Sequence, residues 1–180
     1  VAADTPDLVE KLILISSGPF EHAYAEKIQT TRLSRLDEEE QREYKTLLDE
    51  LTHVEQASSP DALTRLGAFA AKSDSYDTIR SPLHERVSSP GGPDTFRRAL
   101  NQALTMRKNG TLLERVRRIH CPVVAIHGDY DPHPVEGVQR PLAQALSNFH
   151  LILLEQCGHK PWVERQAKET FYNILQAELF

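Results

Sequence analysis

The sequence predicts an α/β protein in which a parallel sheet is interrupted by a block of helices, and three stretches carry that prediction. The apolar run Leu12 to Ile15 ends in Ser16, Ser17, Gly18 and Pro19, as a buried strand running into a loop does. From Phe20 to about Met106 the chain is charged and helical in pattern, with no strand signal. After Gly110 strand and helix patterns alternate, the order that gives parallel strands joined by right-handed crossovers.

Taken in order, Pro6 and Asp7 are expected to mark the end of an earlier helix, and Lys11 to Ser16 the first strand. Asp37 with Glu40 three residues on is a capping-box signal, after which Tyr44, Leu47, Leu48, Leu51 and Val54 share one helical face. Ser59 and Pro60 begin a second helix carrying Leu63, Leu66 and Phe69. A loop from Ser88 to Asp94 precedes a third, with Phe96, Leu100 and Leu104. Strands follow at Pro122 to His127 and Phe149 to Leu154, separated by a helix from Val135 to Leu146. A final helix, Val163 to Leu179, turns Ala167, Phe171, Ile174 and Leu175 to one face. The expected division is a core piece at 1–18, an inserted helical lid at 19–109 and a second core piece at 110–180.

Composition narrows the function. At 180 residues and 39% hydrophobic the chain can bury a core for one domain, or for a core with a subsidiary helical unit. Its net charge of −5 argues against a nucleic-acid partner, because phosphate binding draws on concentrated Lys and Arg. Cys121 and Cys157 lie far apart without metal-ligand spacing, and read as buried thiols of a reducing compartment. No apolar run approaches the roughly 20 residues of a membrane span. The expectation is a soluble cytoplasmic protein with no membrane partner and no cofactor.

In a parallel sheet, function gathers where strands end at their carboxyl edges. Two polar segments sit there: HGDYDPHP after the second strand and EQCGHKPW after the third. The first sets His127, Asp129, Asp131 and His133 at alternate positions, which in an extended chain would place all four on one side. Metal binding by that set needs the whole segment extended. Gly128 invites a turn instead, and no second cluster closes a coordination shell, so no metal is expected.

These segments carry a resemblance. CPVVAIHGDYDPHP resembles the late strand and acid loop of an α/β-hydrolase, and LEQCGHKPWVER the next strand with its catalytic-histidine loop. PDLVEKLILISSGPF is similar to the stretch from the end of the nucleophile helix into the sixth strand, with a helical cap following. The resemblance implies the C-terminal part of an α/β-hydrolase sheet with an inserted cap. Gly128, Asp129, Tyr130 and Asp131 match the pattern Gly-x-x-Asp, which assigns Asp131 as the triad acid, and Gly158-His159 assigns His159 as the base. Chemistry supports that division of labour: a base must reach the nucleophile's proton, and a carboxylate must orient its imidazole and stabilise the imidazolium.

Structural readings compete at each position. Asp131 precedes Pro132 near a helix start and could be an N-cap or turn aspartate. Asp129 is expected to brace its loop, or to be the acid if the register differs. His127 is expected to end its strand; His133 is either exposed or lines the substrate cleft. His159 could simply pack against Trp162, itself a candidate cleft residue. Ser16 and Ser17 end a strand without a Gly-x-Ser-x-Gly elbow, and are expected near the cleft and not as nucleophiles.

The chain contains no such elbow. The resemblance puts the nucleophile roughly ten residues before Val1. The expected function is therefore the acid- and base-bearing part of a serine-type hydrolase of a small ester, amide or related acyl substrate, inactive alone. Two alternatives stand beside it: an epoxide hydrolase or dehalogenase with an aspartate nucleophile, and a non-catalytic binding module. The strand Lys11 to Ser16, apolar on both faces, would be left with an open edge. Its expected partner is either the missing N-terminal half or a second copy of the chain.

Overall fold

The strand β2 (Val123–Gly128) is buried along its whole length, and the rest of the sheet is arranged around it. In the computed structural model, which describes residues 1–53, 60–79 and 92–180, β2 lies between β1 (Leu12–Ile15) and β3 (Phe149–Leu154). Both neighbours run parallel to it, Leu12 opposite Val123 and Val123 opposite Phe149. The sheet is thus the parallel α/β sheet predicted, each strand end within a residue of its expected place.

Alternation along β2 supplies two core layers, because successive side chains point to opposite faces. Val123 and Ala125 pack with Val116, Val138, Leu142 and Leu146, from α5 (Thr111–Val116) and the region of α6 (Glu136–Ala145). Val124 and Ile126 pack on the other face with Leu154, Cys157, Ala167 and Phe171, where α7 (Lys168–Leu179) lies. A strand covered on both faces must be apolar throughout, which is why VVAI carries no alternation in polarity.

Among the described residues, 22–108 supply four further helices, α1 (His22–Ser34), α2 (Glu38–His53), α3 (Pro60–Ser73) and α4 (Gly92–Lys108). They have a core of their own, in which Leu36, Tyr44, Leu47 and Leu51 meet Ala62, Leu63 and Leu66. The capping box forms: Asp37 Oδ1 accepts from the amides of Glu39 and Glu40, and Glu40 Oε2 accepts from the amide of Asp37. Val54, Ser59 and residues 88–91 of the expected loop lie outside the described residues, and α4 begins at Gly92.

Two other expectations are corrected, and one short helix appears that none foresaw. Pro6 and Asp7 belong to a short 3-10 turn, Pro6–Leu8, preceded by a turn in which the Val1 carbonyl accepts from the amides of Asp4 and Thr5. The short helix α5 had no sequence forecast. The last helix starts at Lys168, not Val163; Pro161–Val163 form a separate 3-10 turn. Between them Glu164, with no exposed surface, turns its carboxylate back to accept from the amides of Tyr76, Asp77 and Gly158. Helix geometry at that point would aim this carboxylate elsewhere and leave the three N–H groups unsatisfied.

The helical unit is also tied to the sheet layer through α6. Pro141 lies inside that helix and cannot donate to the Gly137 carbonyl one turn earlier. The Phe20 amide donates to that carbonyl instead, at 2.9 Å, fixing the exit from β1 against α6.

Candidate active site

The acid loop and the histidine loop are held together where β2 and β3 end. Asp129 donates its amide to Leu154, Tyr130 donates its amide to the Cys157 carbonyl at 2.9 Å, and the Cys157 amide donates to Asp129 Oδ1 at 3.1 Å. Gly128 makes the approach possible, since a Cβ there would stand 2.1 Å from the Cys157 carbonyl oxygen. At Gly158 a Cβ would meet the Asp74 carbonyl at 2.1 Å and Glu164 Oε1 at 2.5 Å. Gln156, at φ 52°, makes the left-handed turn that starts the histidine loop.

The outcome is a contact between residues far apart in sequence. His159 Nδ1 lies 2.9 Å from Asp131 Oδ2. The Asp131 carboxylate has no exposed surface, whereas the His159 side chain is 31% exposed. Burial alone would raise the Asp131 pKa, but its hydrogen bonds from His133 and His159 and their charge outweigh that and hold it well below the ordinary carboxylate range. An ionised carboxylate only accepts, so Nδ1 of His159 carries the proton. That tautomer leaves Nε2 with the lone pair a general base needs.

The sequence did not anticipate how His133 is used. Its amide and its Nδ1 both donate to Asp131 Oδ1, at 2.9 and 2.7 Å, and its ring stacks on that of His159 with centroids 4.5 Å apart. His127 completes the surroundings: Nε2 donates to the His133 carbonyl at 2.8 Å and stands 3.7 Å from Asp131 Oδ2. Burial lowers the His127 pKa, keeping that strand-end ring neutral. The four alternating residues of HGDYDPHP therefore do not share one side. Asp129 turns to the histidine loop, while His127 and His133 face Asp131.

A cavity of about 450 Å³ opens beside His159. Leu48, Leu63, Leu66, Ala70, Phe96 and Leu100 give it apolar walls from α2, α3 and α4. Gln29, Arg32, Asp74 and Lys160 supply polar atoms. Arg32 and Asp74 form a two-bond ion pair, at 2.7 and 2.5 Å. Burial opposes the Arg32 charge, and the hydrogen bond and charge of Asp74 overcome it, leaving the guanidinium pKa raised. The Asp74 carbonyl accepts the His159 amide at 2.7 Å, so the same residue touches the cavity and the histidine loop. Tyr130 adds a second tie: Arg35 lies 3.6 Å over its ring and Tyr76 packs against its edge.

None of Ser16, Ser17, His133 or Trp162 is among the described residues lining this cavity. Ser16 is buried at φ 47°, its hydroxyl without a hydrogen-bond partner among the described residues, and Ser17 donates to the Gly18 carbonyl. Trp162 packs on Phe171 and is 39% exposed. The cavity residues Gln29, Arg32 and Asp74 were missed because polar residues on a helix of no clear amphipathic pattern, such as Gln29 and Arg32 on α1, and in the turn after α3, such as Asp74, read as solvated surface.

Neither a protein-family profile nor a curated relative matches the sequence. Solved structures do. VinJ superposes with a TM-score of 0.60 at 14% identity, over 99% of this chain and 60% of that one. A lipase in its open form gives 0.55 at 15%, over 98% and 58%. Proline iminopeptidase from Mycobacterium smegmatis gives 0.52 at 12%, over 99% and 59%. The likeness establishes the fold: this chain has the C-terminal part of an α/β-hydrolase architecture, and spans under two thirds of the length of these solved chains.

Proposed function

From a chain that carries the C-terminal part of the α/β-hydrolase fold, we infer the acid- and base-bearing portion of a serine-type hydrolase acting on a small ester, amide or related acyl substrate. His159 acts as general base and then acid, and Asp131 orients and stabilises its imidazolium. The observation that carries this reading is the 2.9 Å contact from His159 Nδ1 to a fully buried Asp131 carboxylate, with His159 beside a cavity large enough for a ligand. The apolar walls favour a substrate whose acyl or alkyl part is hydrocarbon, its reacting carbonyl held at the His159 end. The nucleophile belongs to the part of the fold that these 180 residues do not span, and the 180 residues alone are expected not to turn over.

The described residues contain no helix long and apolar enough to cross a membrane. A cytoplasmic setting is part of this proposal, favoured by two unpaired thiols, Cys121 and Cys157.

The test is to express the coding sequence that precedes Val1 together with this chain and treat the product with a fluorophosphonate probe. We expect a single serine in the added segment to be labelled, and labelling to fall away in His159→Ala. Stoichiometric labelling inside the 180 residues, or full turnover by His159→Ala, would overturn the assignment.

A further inference from the structure

The His159 ring is held by Asp131, but the His159 main chain is held by the helical unit. Its amide donates to the Asp74 carbonyl at 2.7 Å, and Asp74 directly follows the last residue of α3. The preceding amide, that of Gly158, is held separately, by Glu164 Oε1 at 3.0 Å. An imidazole that must keep Nδ1 on one carboxylate oxygen and aim Nε2 at a reacting proton has little room to drift, since a misplacement of about 1 Å can cost on the order of 100-fold in rate. Where the Asp74 carbonyl stands is therefore part of the geometry of the acid and base.

The end of α1 holds that carbonyl in place. Arg32 donates Nε to Asp74 Oδ1 at 2.7 Å and Nη2 to Oδ2 at 2.5 Å, a planar fork that fixes direction as well as distance. Both side chains are largely out of solvent, at 16% and 9% exposure. Arg35, one turn further on, donates Nη1 to the Ser73 carbonyl at 2.7 Å and lies over the Tyr130 ring of the acid loop. Two arginines of one helix end thus grip the turn behind His159 and the loop that carries Asp131.

We propose that Arg32 is a positioning residue for His159: its fork on Asp74 sets the carbonyl that receives the His159 amide, and with it the reach of Nδ1 to Asp131 and the aim of Nε2. A buried ion pair adds little net stability, because the cost of desolvating two charges offsets their attraction, so the fork at this turn serves geometry. A lysine at the same position keeps the charge and loses the fork. That Nε2 goes on to take a nucleophile's proton rests on the hydrolase reading. The hold of Arg32 on the bond between His159 and Asp131 does not.

Imidazole ¹H–¹⁵N spectra of the 180-residue chain read that bond without any need for turnover. In the unaltered chain the Nδ1 proton of His159 is expected as a downfield resonance protected from exchange with water. Arg32→Gln should lose it and Arg32→Lys should weaken it, while the Nδ1 proton of His133, bound to the same carboxylate from within its own loop, stays. Lys72→Gln, which cuts the exposed pair between α3 and Glu40 of α2, should leave both as they were. An unaltered His159 signal in either Arg32 variant, loss of both histidine signals alike in a folded variant, or equal loss in Lys72→Gln overturns the proposal. If the Arg32 variants do not fold, hydrogen exchange in the unaltered chain decides: the His159 amide should open in step with the amides of α1 and residues 70–74, and opening in step with β2 overturns the proposal. In the proposed hydrolase, Arg32→Gln should lower kcat about 10- to 100-fold with KM nearly unchanged. A raised KM at unchanged kcat would make Arg32 a substrate contact of the cavity wall and overturn the positioning role. A parent without hydrolase activity that still gives the expected spectra would remove the hydrolase reading and leave this one standing.

Discussion

Asp129 and Asp131 stand two residues apart and are given different work by where their side chains end. Asp131 is buried and accepts from two imidazoles, while Asp129 is exposed and accepts one amide, that of Cys157. In the proposed hydrolase Asp131→Asn should lower kcat by about 10⁴-fold with folding retained, because an amide offers the wrong hydrogen bond to the ring and no charge to stabilise it. Asp129→Asn keeps an amide oxygen for the Cys157 N–H, and less than a tenfold loss is expected; steady-state kinetics on both variants would expose a reversed order. The thiols differ in the same way. Burial first, then the charges of Glu164, Asp129 and Asp131, push the Cys157 pKa up to about 12, so the group stays protonated and unreactive at pH 8. Ellman's reagent should therefore titrate one thiol in the native chain, Cys121, and two in denaturant. Rapid reaction of both would contradict the packing around the histidine loop.

At the scale of elements, the histidine loop is wedged between the sheet and the helical unit. The clearest sign is Gly158, where an added methyl would fall on the Asp74 carbonyl and on the carboxylate of Glu164. Backbone cannot give way as a flexible side chain can, so Gly158→Ala should destabilise by about 1–3 kcal/mol, towards the upper end, and displace His159 from Asp131. Chemical denaturation with a parallel activity measurement checks both effects, and unchanged stability would mean that the 73–79 segment does not rest on this loop. Leu63 belongs to the separate helical core and also walls the cavity beside His159. Leu63→Ala should cost about 2–5 kcal/mol of stability through the cavity it leaves, read as a shift in the denaturation midpoint.

For the whole molecule, the deciding feature is the outer edge of β1. Among the described residues β1 has β2 on one side and no strand on the other. Beside it Asp7 to Lys11, Ile13 and Glu178 to Phe180 line a groove, with Leu8 78% exposed and Phe180 fully so. A short apolar strand with free N–H and C=O groups invites pairing, and only Glu10 and Lys11, the latter tied to Glu178, put charge at its start. The isolated 180 residues should therefore self-associate or copurify with a companion segment that completes the sheet. Light scattering with intact mass spectrometry reads both, and a stable monomer without a companion would show that this edge protects itself.

What the sequence determined by itself was whatever depends on local pattern: the apolar run of β2, the face of α2 from Tyr44 to Leu51, the capping box at Asp37, and the two polar segments at strand ends. Parallel pairing then brought Asp131 and His159 to one edge, because a βαβ unit returns the chain to the side from which it left. Only the tertiary structure decided the rest. The role of His133 depends on a ring stacking across two loops. The start of α7 depends on Glu164 satisfying amides nearly ninety positions away. The cavity depends on Arg32 of α1 pairing with Asp74 in the turn after α3, segments whose sequences carry no trace of each other. Periodicity records which side of an element is apolar, and it holds no information about which distant hydrogen-bond donors a buried carboxylate will meet.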